Sequence, residues 1–564
     1  MLQLLVLLLC APVDGANQRA NPAPQPSVPS VEEASATPVD SAAASNQRVD
    51  KRRRFSPPLA DETTPWDRFR VVYPVESASL LAPSARAGRV AVFLKAVDVA
   101  SSLAPSAAPF LSDPQPVGSI EVKSLVPGSV VELGESARWW PEEAGRLLEG
   151  TYEVQAIFDS DASQDGHLSP GNLFSVPVLV EFHRHDTDEI ECTLSARIED
   201  PAPPDARRVT AFECESSVLS ADKGRRVSHR AWLAFPREYG DLNARRRVWP
   251  TVYTLVSTGM GPRTAERIAL GLGGSALKDL VPQAVHVVIE EDGVIVDGLV
   301  GGPRATALVT EFIPCLEKEY RLVSDARARI VTGHGDAGWS AVWLLLEHPE
   351  VFGAAFSSAP APLDFSAFGT VNIYSDRNLF VDADGVSHAA FREAIGPAHD
   401  LVTLSVEDEV GWSRALSPNG HSGQAWDLWE SRCSDRDTRT GRPRRIADAS
   451  TGEIDPVAVE SWSRFDVAKR LASAPSSIGT LLSARVRILV GARDSFYFDR
   501  PTMALRDRLN ALARACAAQG EPLPDGPGYI EVIEGASHDA VMPLAQVRFG
   551  REMQQHFRRC GLHE

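Results

Sequence analysis

Between about residues 66 and 198 the chain alternates apolar and polar positions in short runs, FRVVYPV, RVAVFLKAV, GSIEVKSL, GTYEVQAIF and SVPVLVEF, divided by turn-rich clusters. Period-two alternation with many β-branched residues predicts half-buried strands, and their even spacing predicts a small β-sandwich of the immunoglobulin type over 61–200. After the proline-rich break EDPAPPDARR the pattern changes. Apolar runs (SHRAWLAFP, PTVYTLVS, AVHVVIE, ARIVTG, GAAFSSA, RVRILVGA and YIEVIEG) now alternate with helical stretches over about 304–320, from Gly338, over 501–518 and from about Leu544. Strands that read as continuously apolar are covered on both faces, so 205–564 is predicted to be an α/β unit around a mostly parallel sheet. From Asp376 to about Leu471 strand signals are few while polar residues and tryptophans are many. This stretch reads as a lid-like insertion over the carboxyl edge of the sheet, where such folds place ligands.

The two ends and the overall charge narrow the picture. MLQLLVLLLCAPVDGA is a short apolar run ending in small residues, read as a secretory signal over 1–16, although no basic residue precedes it. Residues 17–60 are rich in Ala, Pro and Ser, with KRRR at 51–54, and read as a disordered linker. The expected location is therefore secreted or periplasmic, with no membrane span. A net charge of −18 argues against nucleic acid as a partner. Removal of a leader would leave six cysteines, of which Cys516 with Cys560 or Cys192 with Cys214 could pair in an oxidising compartment. No cofactor motif is present and no metal is expected. The loop DSDASQDGHLSPGN lacks EF-hand spacing, and His183 with His185 has no third ligand.

Candidate chemistry centres on RIVTGHGDAGWSAVWLL, Arg329–Leu345. A strand, a sharp turn between small residues and an apolar helix form the frame in which G-x-S-x-G presents a nucleophilic serine. Here the apex is Gly335, with Asp336 next and Ala337 at the second glycine position. Downstream, ILVGARDSFYFD puts Asp494 just past a strand, and IEGASHDAVMP puts His538 in the loop after the last strand. That chain order, apex then acid then base, is the order of a hydrolase triad. Upstream, YTLVSTGMGP offers Gly259 and the Met260 N–H as one half of an oxyanion hole; the Asp336 N–H would be the other.

The region from about Cys214 to Gln546 resembles the esterase D, or S-formylglutathione hydrolase-like, family of α/β-hydrolases. LVTEFIPCLEKEYRL, GHGDAGWSAVWLLLEHPEVFGAAFSSAPAPLDF and VGARDSFYF carry the likeness. The resemblance implies Asp494 as the acid and His538 as the base, and it sets Gly335 where the family has its serine. GLVGGP at 298–303 looks like a loosened form of a more polar family loop beside the active site. It also implies small esters or carbohydrate-linked esters as ligand class.

Could another group attack? Asp336 lies one residue beyond the apex, where the helix has begun and the side chain leaves in another direction. Its carboxylate would also oppose negative charge developing beside its own N–H. Ser340 lies about 7 Å further along the helix axis. Glycine at the apex accepts a positive φ without the steric penalty of other residues. The sequence therefore supports a catalytically silent family member that binds a ligand in its old cleft. An active hydrolase using Asp336 or a water held by His538 is the alternative, and adhesion or glycan binding through the sandwich is the third reading.

Overall fold

The computed structural model describes residues 69–562, except 100, 109, 135, 142–148, 161–165, 184–187, 201–207, 258, 272–279, 292–301, 397–398 and 418. The expected signal and linker, His185, and most of GLVGGP lie outside the described residues.

The first part of the chain builds nine strands: β1 (Phe69–Tyr73), β2 (Gly88–Ala96), β3 (Val117–Val122), β4 (Ser129–Glu132), β5 (Arg138–Trp140), β6 (Gly150–Asp159), β7 (Leu173–Ser175), β8 (Val178–Phe182) and β9 (Ile190–Arg197). They pair in the order β4-β1-β9-β7-β6-β2-β3-β5, with β8 also on β6. Strand β9 is shared. Its first half runs parallel to β1 and its second half antiparallel to β7. Alternate residues of four strands, among them Val71, Val92, Val154 and Cys192, meet in one apolar core. The opposite face of β2 explains its unbroken apolar run: Ala91 and Phe93 join Trp140, Phe391, Leu404 and Trp412 in a second cluster. A strand buried on both faces loses its alternation.

The remainder carries an eight-stranded sheet: β10 (Val209–Ser216), β11 (Val227–Ala234), β12 (Thr251–Ser257), β13 (Val285–Glu291), β14 (Arg329–His334), β15 (Ala354–Ser358), β18 (Val486–Arg493) and β19 (Tyr529–Ser537). Its order is β10-β11-β13-β12-β14-β15-β18-β19. The run from β13 to β19 is parallel, whereas β10 and β11 form an antiparallel edge. The sheet is thus mixed rather than simply parallel. With helices between its parallel strands, this unit is an α/β fold.

Between β15 and β18 the chain is better ordered than its composition indicates. It forms a hairpin, β16 (Ala389–Ala394) with β17 (Asp400–Ser405), and five helices from Val406 to Arg485. Trp426, Trp429 and Trp462 pack with Phe365 and Phe368 in the main core. The tryptophans are therefore interior anchors. The hairpin side of this segment leans on the first unit: the Ser119 hydroxyl donates to the Ala415 carbonyl, and the Trp412 indole N–H to that of Gln115 at 3.2 Å.

Two helix starts differ from the sequence expectation. The helix after the bend begins at Asp336, immediately past the apex. The last helix begins at His538, because Ser537 caps it and Pro543 sits inside it instead of stopping it. The cysteine pairings also change. Cys192 belongs to the core of the first unit and Cys214 packs on that of the second, while Cys516 and Cys560 are free thiols.

Candidate active site

Three strands of one parallel run end at the same edge of the sheet, and each hands the chain to a residue of interest. β14 is followed by Gly335, β18 by Asp494, and β19 by His538. The bend at Gly335 has φ 60° and ψ −125°, a conformation that costs a residue with a Cβ about 1–3 kcal/mol. Its N–H donates to the Ser358 carbonyl at 3.1 Å, and its carbonyl accepts from Trp339 and Ala361, both at 3.0 Å. The neighbours must be small as well. A Cβ on Gly333 would lie 2.2 Å from the Ala337 carbonyl oxygen, and one on Gly338 would lie 2.7 Å from the Ser357 hydroxyl. The glycines of GHGDAG thus let the strand turn directly into the helix.

At β18 a register shift between Gly491 and Arg493 carries the chain toward β19. Gly491 permits the approach, because a Cβ there would sit 2.2 Å from the Ala536 carbonyl oxygen. Asp494 and His538 are buried, at 0% and 2% exposure. The His538 Nδ1–H donates to Asp494 Oδ2 at 2.8 Å. The other carboxylate oxygen accepts the N–H groups of Phe496 at 3.0 Å and Phe498 at 3.2 Å. Phe496 and Phe498 present their rings edge-on to the imidazole at 4.9 and 5.6 Å. Burial opposes charge on His538, but the Asp494 carboxylate and its hydrogen bond outweigh burial and hold the imidazole above its usual range.

The elbow and the base meet through His334, whose ring centroid lies 4.5 Å from that of His538. His334 Nδ1 pairs with the Ser358 hydroxyl at 2.9 Å. Burial, with the His538 charge adding to it, keeps His334 well below its ordinary range, so it is neutral near pH 7. Both rings leave Nε2 buried and, among the described residues, without a hydrogen-bond partner. Among the described residues, therefore, no hydroxyl, thiol or carboxylate occupies the position from which His538 would draw a proton.

The other expected site residues are placed as follows. Asp336 is half-buried at the start of its helix, and it makes no hydrogen bond to His538. Ser340 is fully buried on the inner side of the same helix. The Met260 N–H, expected as an oxyanion donor, instead donates to the Ser257 carbonyl at 3.1 Å and closes its own turn. Gly259 takes φ +78° in that turn, which directs the chain into the helix Gly261–Leu270. His183 is exposed beside Glu181, and no cluster of three metal-ligating side chains is found among the described residues.

Arg392 was not singled out in the sequence. It lies on β16, about a hundred positions from the acid, in a stretch with weak strand signals. Its guanidinium donates to the Asp494 carbonyl at 2.9 Å and to the Asp499 carboxylate at 2.8 Å, and it stacks 4.4 Å over the Tyr497 ring. Tyr497 itself holds φ 61°, a strained value for a non-glycine. The clamp fixes the loop that aims the carboxylate. Only the tertiary fold reveals it.

Residues 304–508 match the family model described as "Putative esterase", a span that includes Gly335 and Asp494 and ends before His538. No curated protein matches the chain. Among solved structures, a ferulic acid esterase is similar at 14% identity over 62% of this chain and 99% of its own, with a TM-score of 0.34. An IroE-like serine hydrolase from Shewanella oneidensis is similar at 12% identity over 62% and 80%, TM-score 0.32. An S-formylglutathione hydrolase from Agrobacterium tumefaciens is similar at 13% over 62% and 95%, TM-score 0.32. Residues 304–508 of this chain are thus similar to the esterase family of that description.

Proposed function

We propose that this protein is a catalytically silent esterase-family member that binds a small ester or carbohydrate-linked ligand in the cleft at the carboxyl edge of its sheet. The observation that carries the reading is the bare apex. Acyl transfer needs a nucleophile at the bend whose proton passes to the base as the carbonyl is attacked. Gly335 has no atom to offer, and Nε2 of His538 has no protein partner among the described residues. The Met260 N–H, engaged with Ser257, further weakens any oxyanion hole. An acid–base pair that fits its loops this closely persists as a buried hydrogen bond whether or not it turns over.

The second reading, hydrolysis through Asp336 or a His538-held water, is favoured by one feature. The Asp494–His538 pair is intact and raises the basicity of the imidazole. In the first reading residues 61–200 are an appended immunoglobulin-type unit and 376–471 a cover over the cleft; the packing of Phe391 on Phe496, 5.0 Å apart, supports the second part. Hydrolysis of p-nitrophenyl acetate distinguishes the readings. The silent protein gives the same slow background in wild type, Asp336→Asn and His538→Ala, whereas an enzyme loses turnover in one or both variants.

A further inference from the structure

The inner face of β10 lies against the helical stretch that runs from Pro303 through a π-turn at Leu308–Phe312 to Glu319. Two contacts set their alignment. Phe212 packs on Phe312 at 5.5 Å and on Tyr320 at 5.7 Å, and the Ser216 hydroxyl donates to the Glu311 carboxylate at 2.5 Å. On a strand, Cys214 shares the face of Phe212 and Ser216 and lies between them. On the helix, Cys315 sits one turn beyond Phe312, between Glu311 and Tyr320. The alignment sets the two thiols opposite one another. Both are half-buried and both pack against the same apolar core. His229, the cross-strand partner of Cys214, stands 5.4 Å from the Phe312 ring on the same side.

We propose that Cys214 and Cys315 form a dithiol that a small-molecule disulfide such as glutathione disulfide oxidises to an intrachain disulfide. One thiolate of the pair attacks a sulfur of the oxidant, whose S–S bond breaks and releases one glutathione thiolate. The second protein thiolate then attacks the mixed disulfide, forms the Cys214–Cys315 bond and expels the second glutathione. The protein loses two protons and two electrons, and the oxidant takes up the electrons. Burial, then the neighbouring Cys315 thiol, pushes the Cys214 thiol up to about 12, so closure is slow at neutral pH and quickens in alkali. The bond would close a ring of chain that includes β11, β12, β13 and the Met260 turn. Rings of that length restrict the unfolded chain strongly. The pair lies four strands from β14 in the sheet order and does not depend on the reading of the cleft.

The test uses the full chain, treated with glutathione disulfide or with dithiothreitol at about pH 8.5, then alkylated and mapped by mass spectrometry. The expected result is a peptide pair joined through Cys214 and Cys315, absent from Cys214→Ser and Cys315→Ser, with a thermal midpoint roughly 5 °C higher in the oxidised wild type. Full alkylation of both cysteines after oxidation would overturn the proposal. So would a glutathione on each without a cross-link, or a bond from either to another cysteine. The wild-type map decides the matter even if a serine variant does not fold.

Discussion

His538 and Asp494 lie 2.8 Å apart in a buried pair, while the far nitrogen of the same imidazole has no partner among the described residues. The pair has a titration signature. With burial working against it, the Asp494 carboxylate, helped by the more weakly acting charges of Asp539 and Asp336, keeps His538 above its ordinary range. A raised native value means that the histidine's contribution to stability is complete below about pH 6.5 and fades as pH rises through the native value. Asp494→Asn should lower the imidazole's value, because burial is then opposed only by the weaker charges of Asp539 and Asp336, and should cost about 3 kcal/mol. NMR titration of the ring protons checks the first expectation and denaturant midpoints the second.

Backbone strain at the bend separates two glycines that are close in sequence. Gly335→Ala keeps the turn but forces a Cβ into φ 60°, so a loss of about 1–3 kcal/mol is expected. Gly333→Ala drives a Cβ to 2.2 Å from a backbone oxygen that cannot move without shifting the helix, and about 3 kcal/mol or more is expected. Urea unfolding of both variants measures the order. A stabilised Gly335→Ala would mean that the apex does not have this geometry.

Two buried acids set a pH trend of the same sign in the segment after β17. Burial pushes Glu430 up to about 8, against the pull of Arg445, and Glu409 up to about 7, against the hydrogen bond from the Trp426 indole. Each carboxyl is neutral in the fold at pH 5 and ionised when unfolded above about 4.3. The stability they contribute is therefore present in acid and lost as pH rises through 7 to 8. Wild type should lose on the order of 2 kcal/mol per group between pH 5 and pH 9. Glu430→Gln and Glu409→Gln should flatten that loss, as read from denaturation midpoints at the two pH values.

Much of the candidate site's placement was legible because it depends on short-range pattern. Apolar strands end in Gly335, Asp494 and His538, and strand ends on one edge of a parallel sheet are neighbours in space. What stayed hidden depends on contacts distant in sequence. Arg392 reaches the acid loop from β16, and β10 was overlooked because its outer face carries Glu213 and Glu215, which dilute the apolar signal. The last helix starts at His538 rather than at about Leu544, because Ser537 caps it and Pro543 is accommodated inside it. Met260 fits the place of an oxyanion donor in sequence, but sequence cannot show that its N–H is already engaged with Ser257.

The most direct measurement of the bare apex is covalent labelling by a fluorophosphonate probe, which marks serine nucleophiles activated by a histidine. Wild type should remain unlabelled. Gly335→Ser combined with Asp336→Ser should become labelled on the new residue at 335, and adding His538→Ala should abolish the signal. Labelling of the wild-type protein that disappears in His538→Ala would reveal a nucleophile already facing the base, and would contradict the account.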